Sequence, residues 1–244
     1  MREKPQQQDE EVLVAPQRKA TTLQSFFTED KNTRELISKS KTVVITGLDG
    51  GGKTSTAYFV LKIAKESSLD LPLGLIKAKK LVTTTTRDPR ASDHPGEYEY
   101  VSAREFDTIA QSGGMIEFQE VRHGSFYGVK RSELLDFKQS NALKIICVDY
   151  LGAKKFASIP GVPIFFISPS DPEVALTRRI NEVIAKGGKL LKKDIMSRRE
   201  ANKRAWEDRT HPGFTFIPND VPVEKTAFEV LALTKKFAAR HWRY

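Results

Sequence analysis

The 244-residue chain carries 40 Lys and Arg against 31 Asp and Glu, a net charge of +9, which suits an anionic ligand, nucleic acid or an anionic surface without choosing among them. Its length allows one well-filled core with small insertions. The single cysteine, Cys147, excludes an intramolecular disulfide and predicts a reducing, cytoplasmic compartment, while no apolar run approaches the ~18 residues of a membrane span, so no membrane partner is expected.

Residues 1–20 are polar and pattern-free, with Gln6-Gln7-Gln8 followed by Asp9, Glu10 and Glu11, and read as a tail that cannot bury enough to order itself. This acidic, Gln-rich start has neither a signal-peptide core nor a transit-peptide composition. Residues 21–39 place Leu23, Phe26, Phe27, Leu36 and Ile37 among charges, a pattern for an amphipathic helix docked on the core. Together, residues 1–40 are expected to extend a main domain spanning 41–244.

That domain opens on Thr42-Val43-Val44-Ile45-Thr46, a β-branched run expected of a buried parallel strand. The next residues, Gly47-Leu48-Asp49-Gly50-Gly51-Gly52-Lys53-Thr54, complete the phosphate-loop pattern G-x-x-x-x-G-K-[ST], and Ser55 to Lys62 continues as a helix. At such a strand-to-helix turn the glycines let successive backbone N–H groups face one anion. Lys53 reaches the terminal phosphates and the Thr54 hydroxyl can ligate Mg²⁺. The implied ligand is a nucleotide polyphosphate.

Further along, the apolar pairs Leu75-Ile76 and Leu81-Val82 precede a polar stretch, 83–130, rich in Arg, Tyr and Gly. Two more buried-strand candidates follow at 142–149 and 162–167, with helix-like runs at 172–186, 194–208 and 224–240. Strands alternating with helices predict an α/β fold with a parallel sheet covered on both faces. The run Ile145 to Asp149 ends an apolar strand in a carboxylate, which in loop-type nucleotide enzymes holds Mg²⁺ directly or through water.

The polar stretch carries Thr83-Thr84-Thr85-Thr86-Arg87-Asp88-Pro89-Arg90, then Gly96-Glu97-Tyr98-Glu99-Tyr100-Val101-Ser102, Met115-Ile116-Glu117-Phe118 and Ser125-Phe126-Tyr127-Gly128. This ordered set resembles the guanylate kinase family, which places T-T-R-x-P-R, G-x-x-Y-x-F-V-S, I-E-W and Y-G-[TS] after its phosphate loop. The resemblance continues through Phe166 to Ser170, Leu176 with Arg179, Ile195 with Arg198, and Asn219-Asp220, spanning about 41–236.

It implies a three-layer phosphate-loop kinase core with a monophosphate-binding insert at 83–133 and a lid at 176–205. It also implies transfer from ATP, with Mg²⁺, to GMP or dGMP. ATP would meet Asp49, Gly50, Gly51, Gly52, Lys53, Thr54, Ser55 and Asn219, with metal contacts at Thr54 and Asp149. The acceptor would meet Thr83, Arg87, Arg90, Tyr98, Glu117, Tyr127 and the positions of Val129 and Cys147, while Lys53, Arg179 and Arg198 would neutralise the transferring phosphoryl group. Guanidinium groups suit the acceptor phosphate, phenols can donate to its remaining oxygens, and an ionised Glu117 can accept from guanine N1–H and 2-amino groups.

The chain departs from the pattern at Val129, where the family's threonine or serine would face the guanine 6-oxo group, and at Cys147, where the family has a carboxylate. Val183 replaces a lid arginine, Lys186 to Lys193 forms a basic loop, and Asp49 with its neighbours is similar to thymidylate kinases. Three readings stay open: a guanylate kinase-like enzyme, a kinase for another monophosphate or a ribose bisphosphate, and a non-catalytic guanylate kinase-like binding module. The basic surface leaves nucleic acid or a larger assembly open as a partner.

Overall fold

The computed structural model describes residues 26–27, 31–66, 75, 77–90, 93–122, 124–135 and 142–242. The expected tail at 1–20 lies outside them, as does much of the expected helix at 21–39. Among the described residues of that stretch a helix forms at α1 (Lys31–Lys39), while Phe26–Phe27 is a short strand, β1. The two phenylalanines pair antiparallel with Phe118 and Glu117 instead of presenting a helical face.

The central sheet has five parallel strands in the order β10-β9-β2-β8-β3. Strand β2 (Thr42–Gly47) lies in the middle and is buried along its whole length, between β8 (Ala142–Cys147) and β9 (Ile164–Ser168). Successive side chains of a strand face opposite sides, and β2 uses both. Val43 and Ile45 pack with Ala57 and Val60 of α2 (Lys53–Glu66) and Ala227 and Val230 of α8 (Val223–His241). Val44 packs on the other side with Ile37 of α1 and Ala153 and Phe156 of α5 (Tyr150–Phe156). This sandwich gives the three layers. Strand β10 (Thr215–Pro218) closes one edge.

The other edge strand departs from the expectation. Neither Leu75 nor Leu81-Val82 belongs to the strand: β3 is Lys77–Lys80, the lysine-rich segment between them, and Ile76 lies outside the described residues. A lysine-bearing edge strand exposes few apolar atoms and blunts pairing with another chain, which is why an apolar pattern does not reveal it.

Residues 83–135 form a second sheet, ordered β1-β6-β7-β4-β5, from β4 (Thr83–Thr85), β5 (Tyr98–Tyr100), β6 (Met115–Arg122) and β7 (Ser125–Lys130). Helix α3 (Ala103–Gln111) is fixed by a Ser102–Glu105 capping box and packs Phe106 on Met115 and Phe118. The short helix α4 (Arg131–Leu135) returns the chain to the core through buried Leu134.

Helices α6 (Pro172–Ala185) and α7 (Lys192–Glu207) follow β9 and pack against each other beside the phosphate loop. Leu48, Phe166, Ala175 and Ala205 form the cluster that joins loop, sheet and both helices. Phe166, fully buried, has the Phe214 and Phe216 rings each 6.2 Å away. Phe166→Ala is therefore expected to lower the unfolding free energy by about 3–5 kcal/mol, read from urea melts of the two proteins.

Candidate active site

The phosphate loop, the second sheet and helices α6 and α7 surround one cleft of about 980 Å³. On its phosphate-loop side, Gly50 (φ +81°) and Gly52 (φ +98°) hold a backbone that other residues adopt with strain, and there is no room for a side chain. A Cβ at Gly50 would lie 2.0 Å from the Ala175 carbonyl oxygen, and one at Gly52 would lie 2.2 Å from Asn219 Nδ2. Asn219 Nδ2 donates to the Gly51 carbonyl (2.9 Å) and its Oδ1 accepts from the Thr226 hydroxyl (2.9 Å). It thereby braces the loop from β10 and α8.

Lys53 Nζ donates to the carbonyls of Gly47 (3.0 Å) and Leu48 (2.7 Å), curled over the loop it is expected to serve. Asp49, within the loop, is ion-paired with Arg198 and lies 3.6 Å from Arg179 Nε. The two arginines come from different helices, and one carboxylate gathers them beside the loop. Asn202 of α7 adds a two-way bridge, accepting from Asp49 N (2.9 Å) and donating to Asp49 O (3.1 Å). Ser55 also lines the cleft.

On the opposite wall, Arg87 forks onto Asp93 through two hydrogen bonds of 2.8 and 2.7 Å. The same carboxylate accepts from Arg90 N (2.8 Å) and Tyr100 Oη (2.6 Å). Burial alone would raise the Asp93 pKa, but the hydrogen bonds from Arg87, Tyr100 and Arg90 outweigh it and bring it down to about 2. The Arg87 guanidinium also sits 4.5 Å from the centre of the Tyr98 ring, a cation–π contact. Tyr98 meets Tyr127 edge-on at 6.3 Å, and burial raises its pKa. The Arg90 side chain is exposed at the mouth of the cleft.

Glu97 joins the two walls, its carboxylate accepting from Thr54 Oγ1 (3.3 Å) and from His94 N (3.2 Å).

The inner end holds Thr83, Glu117, Gln119, Cys147 and Asp149. Glu117 is 2% exposed, and its Oε2 accepts no hydrogen bond; Lys155 Nζ, 3.7 Å away, donates instead to the Phe118 carbonyl (2.8 Å). Burial raises the Glu117 pKa to about 8 against the pull of Lys155, with Asp149 adding to the rise. Burial also pushes up the Cys147 thiol.

Asp149 caps α5, accepting from Gly152 N (2.8 Å), and burial raises its pKa although that hydrogen bond and Lys53 oppose it. Among the described residues no three His, Cys, Asp or Glu side chains cluster in a way that could hold a metal ion. The oxygen donors of Thr54 and Asp149 still fit a hard cation such as Mg²⁺, which takes one or two protein oxygens and fills its other positions with phosphate and water.

Most of the residues singled out from sequence line this cleft, but Val129 does not. It is 1% exposed and packs among Ile116, Leu81 and Val44 in the core. It stands opposite Glu117 on the same face of the second sheet, and its apolar side chain offers no hydroxyl there. Four participants lay outside the sequence reading. Asp93, Glu97 and Asn202 are ordinary polar residues in surface-like stretches until their partners are known. Gln119 could have been flagged by its place two residues after Glu117 on one strand.

Comparison with known proteins adds an independent line. The family model described as guanylate kinase matches residues 39–231. The chain is 32% identical over 142 residues to a guanylate kinase of Anaplasma phagocytophilum, covering 57% of this chain and 61% of that one. It is 30% identical over 145 residues to a guanylate kinase of Trichormus variabilis, covering 58% and 67%. The crystal structure of guanylate kinase from Anaplasma phagocytophilum superposes with a TM-score of 0.57 at 22% identity over 83% of this chain and 86% of that one, a likeness of fold. No helix among the described residues is long and apolar enough to cross a membrane.

The Glu117 pKa has a measurable consequence for stability. A carboxyl raised from 4.5 to about 8 stabilises the fold fully only below its unfolded pKa, and that stability is lost as pH climbs through the folded value. Glu117→Gln removes this titration. The melting temperature of the variant relative to the parent is expected to rise from pH 5 to pH 8 and level off above, by roughly 2–4 °C per kcal/mol recovered, followed by thermal scans across that range.

Proposed function

Because the chain belongs to the guanylate kinase family, we propose that it transfers the γ-phosphoryl group of ATP to GMP or dGMP, giving ADP and GDP or dGDP. The observation that carries this reading is a buried carboxylate, Glu117, in the same cleft as an intact phosphate loop. A buried carboxyl whose Oε2 has a 3.7 Å ion pair to Lys155 and no hydrogen bond is costly to ionise, and donation from guanine's N1–H and 2-amino group would offset that cost.

In this reading an oxygen of the acceptor phosphate attacks the γ-phosphorus as the bond from that phosphorus to the β-bridging oxygen breaks, and ADP carries away the electron pair. The acceptor oxygen is already anionic, so no strong base or covalent nucleophile is needed. Rate then comes from positioning and from cancelling charge on the transferring group. The loop amides and Lys53 hold the donor's β- and γ-phosphates. Arg179 and Arg198 turn from Asp49 to the transferring group. Arg87 and Arg90, with the Tyr98 and Tyr127 hydroxyls, hold the acceptor phosphate, and Arg87 exchanges Asp93 for it. Thr83 supports base and phosphate, with Cys147 beside the base. The Thr54 hydroxyl and the Asp149 carboxylate would hold Mg²⁺, which would supply charge neutralisation on the donor phosphates.

Residues 83–133 serve as the acceptor-binding insert and 176–205 as the lid whose closure excludes water. The half-buried free thiol of Cys147 suits a reducing, cytoplasmic compartment.

An ADP-release assay with ATP and Mg²⁺ against GMP, dGMP, AMP, dTMP, UMP and CMP tests the assignment. Turnover is expected with GMP and dGMP first, and silence with every acceptor would remove the kinase reading. Lys53→Ala is expected to reduce kcat by at least ~100-fold while GMP binding by calorimetry persists. Glu117→Gln should lower kcat/KM for GMP by roughly 10–100-fold with little effect on AMP; an equal loss on both would take the base-reading role from Glu117.

A further inference from the structure

Gln119 lies at the cleft wall, is 4% exposed, and has no hydrogen-bond partner among the described residues on either Nε2 or Oε1. Leaving a buried amide unpaired costs roughly 1–3 kcal/mol, whereas an apolar side chain of the same shape avoids that cost. The amide therefore has no role in holding the fold together, and its hydrogen-bonding capacity is available to a ligand.

Its position says which part of the ligand it meets. Residues 117 to 120 of β6 pair regularly with β7, Glu117 opposite Val129 and Gln119 opposite Tyr127, and the irregularities of the ladder fall on either side of this stretch. Glu117 and Gln119 thus point to the same face, about 6.6–6.8 Å apart along the strand. Two side chains at that spacing can address neighbouring atoms on the edge of one flat base. With Glu117 accepting from the N1–H and 2-amino group, the next atoms along a guanine are the 6-oxo oxygen and N7, which need donors. Glu117 ionised has none, Val129, opposite it on the same face of the sheet, is apolar, and a cysteine thiol is a weak donor. The Gln119 amide has two N–H groups.

We propose that Gln119 is a specificity-determining residue that reads the 6-position of the purine, donating from Nε2 to the 6-oxo group. The proposal rests on the acceptor being a purine monophosphate. A terminal amide also carries an acceptor, and rotated by half a turn it presents Oε1 to a 6-amino group. Gln119 therefore favours a 6-oxo purine less sharply than a fixed donor does.

The test uses the full chain and Gln119→Met, which keeps length and removes both polar atoms, with three acceptors: GMP, IMP, and the monophosphate of 2-aminopurine riboside, which keeps the 2-amino group and lacks the 6-oxo. KM is expected to rise about tenfold for GMP and IMP, the scale of one lost hydrogen bond, with kcat within about twofold and no change for the 2-aminopurine nucleotide. An unchanged KM for GMP, or an equal loss on all three, overturns the proposal. If Gln119→Met does not give a cooperative melt, Gln119→Leu, which also removes both polar atoms, carries the same expectation. Should the parent protein turn over none of them, the kinase reading falls, and calorimetric titration of the same three nucleotides into parent and variant decides the role of Gln119 separately.

Discussion

The loop from Gly47 to Gly52 is packed so closely against its surroundings that the rest of the molecule is arranged around it. At Gly50 the backbone touches the lid-side helix α6 through the Ala175 carbonyl, and at Gly52 it touches Asn219, which is tied to α8 through Thr226. A strand buried at the centre of the sheet delivers the chain to this point, and α2 carries it away. Three separate elements are thereby held at fixed distance from one set of backbone N–H groups. Cores deform little because they are close-packed, so movement of the cleft walls must come from the peripheral helices and the second sheet.

The second constraint runs against stability. Glu117 and Gln119 put a carboxyl and an amide into a wall that apolar side chains would fill at lower free energy. Neighbouring clusters are conventional: Phe106, Met115 and Phe118 cover the outward face of the same strand. One strand thus has a face that holds the fold together and a face that weakens it, and the weakening face is the one turned to the cleft. Local conflicts of this kind are expected where binding chemistry is located.

What sequence could reveal divides along the same line. Strands β2, β8 and β9 are apolar runs bounded by turn residues, and helices α6, α7 and α8 repeat at helical spacing, so hydrophobic pattern alone places them. The phosphate loop is contiguous, and its residues meet in space because they are neighbours in the chain. Strand β3 escapes this logic because an edge strand made of lysines has no apolar signature. Val129 stands opposite Glu117 and Thr83 on one face of the sheet, where the motif would have it; what a motif does not give is how deeply such a side chain packs into the core. Asp93 and Asn202 have meaning only through partners brought by folding, six residues away for one and 153 for the other.

Both walls of the cleft present their arginines already matched to carboxylates of the chain itself, Arg87 to Asp93 and Arg179 with Arg198 to Asp49. These guanidinium groups therefore do not stand as a cluster of unmatched cations pushing each other apart. In the proposed reading nucleotide entry is an exchange of one anion for another, and the desolvation of the guanidinium groups is incurred during folding, before any ligand arrives. What the site measures in such an exchange is the surplus of a multiply charged phosphate over a singly charged carboxylate. Small monoanions gain little from entering, and the released aspartates become two negative charges that favour departure of the polyanionic product.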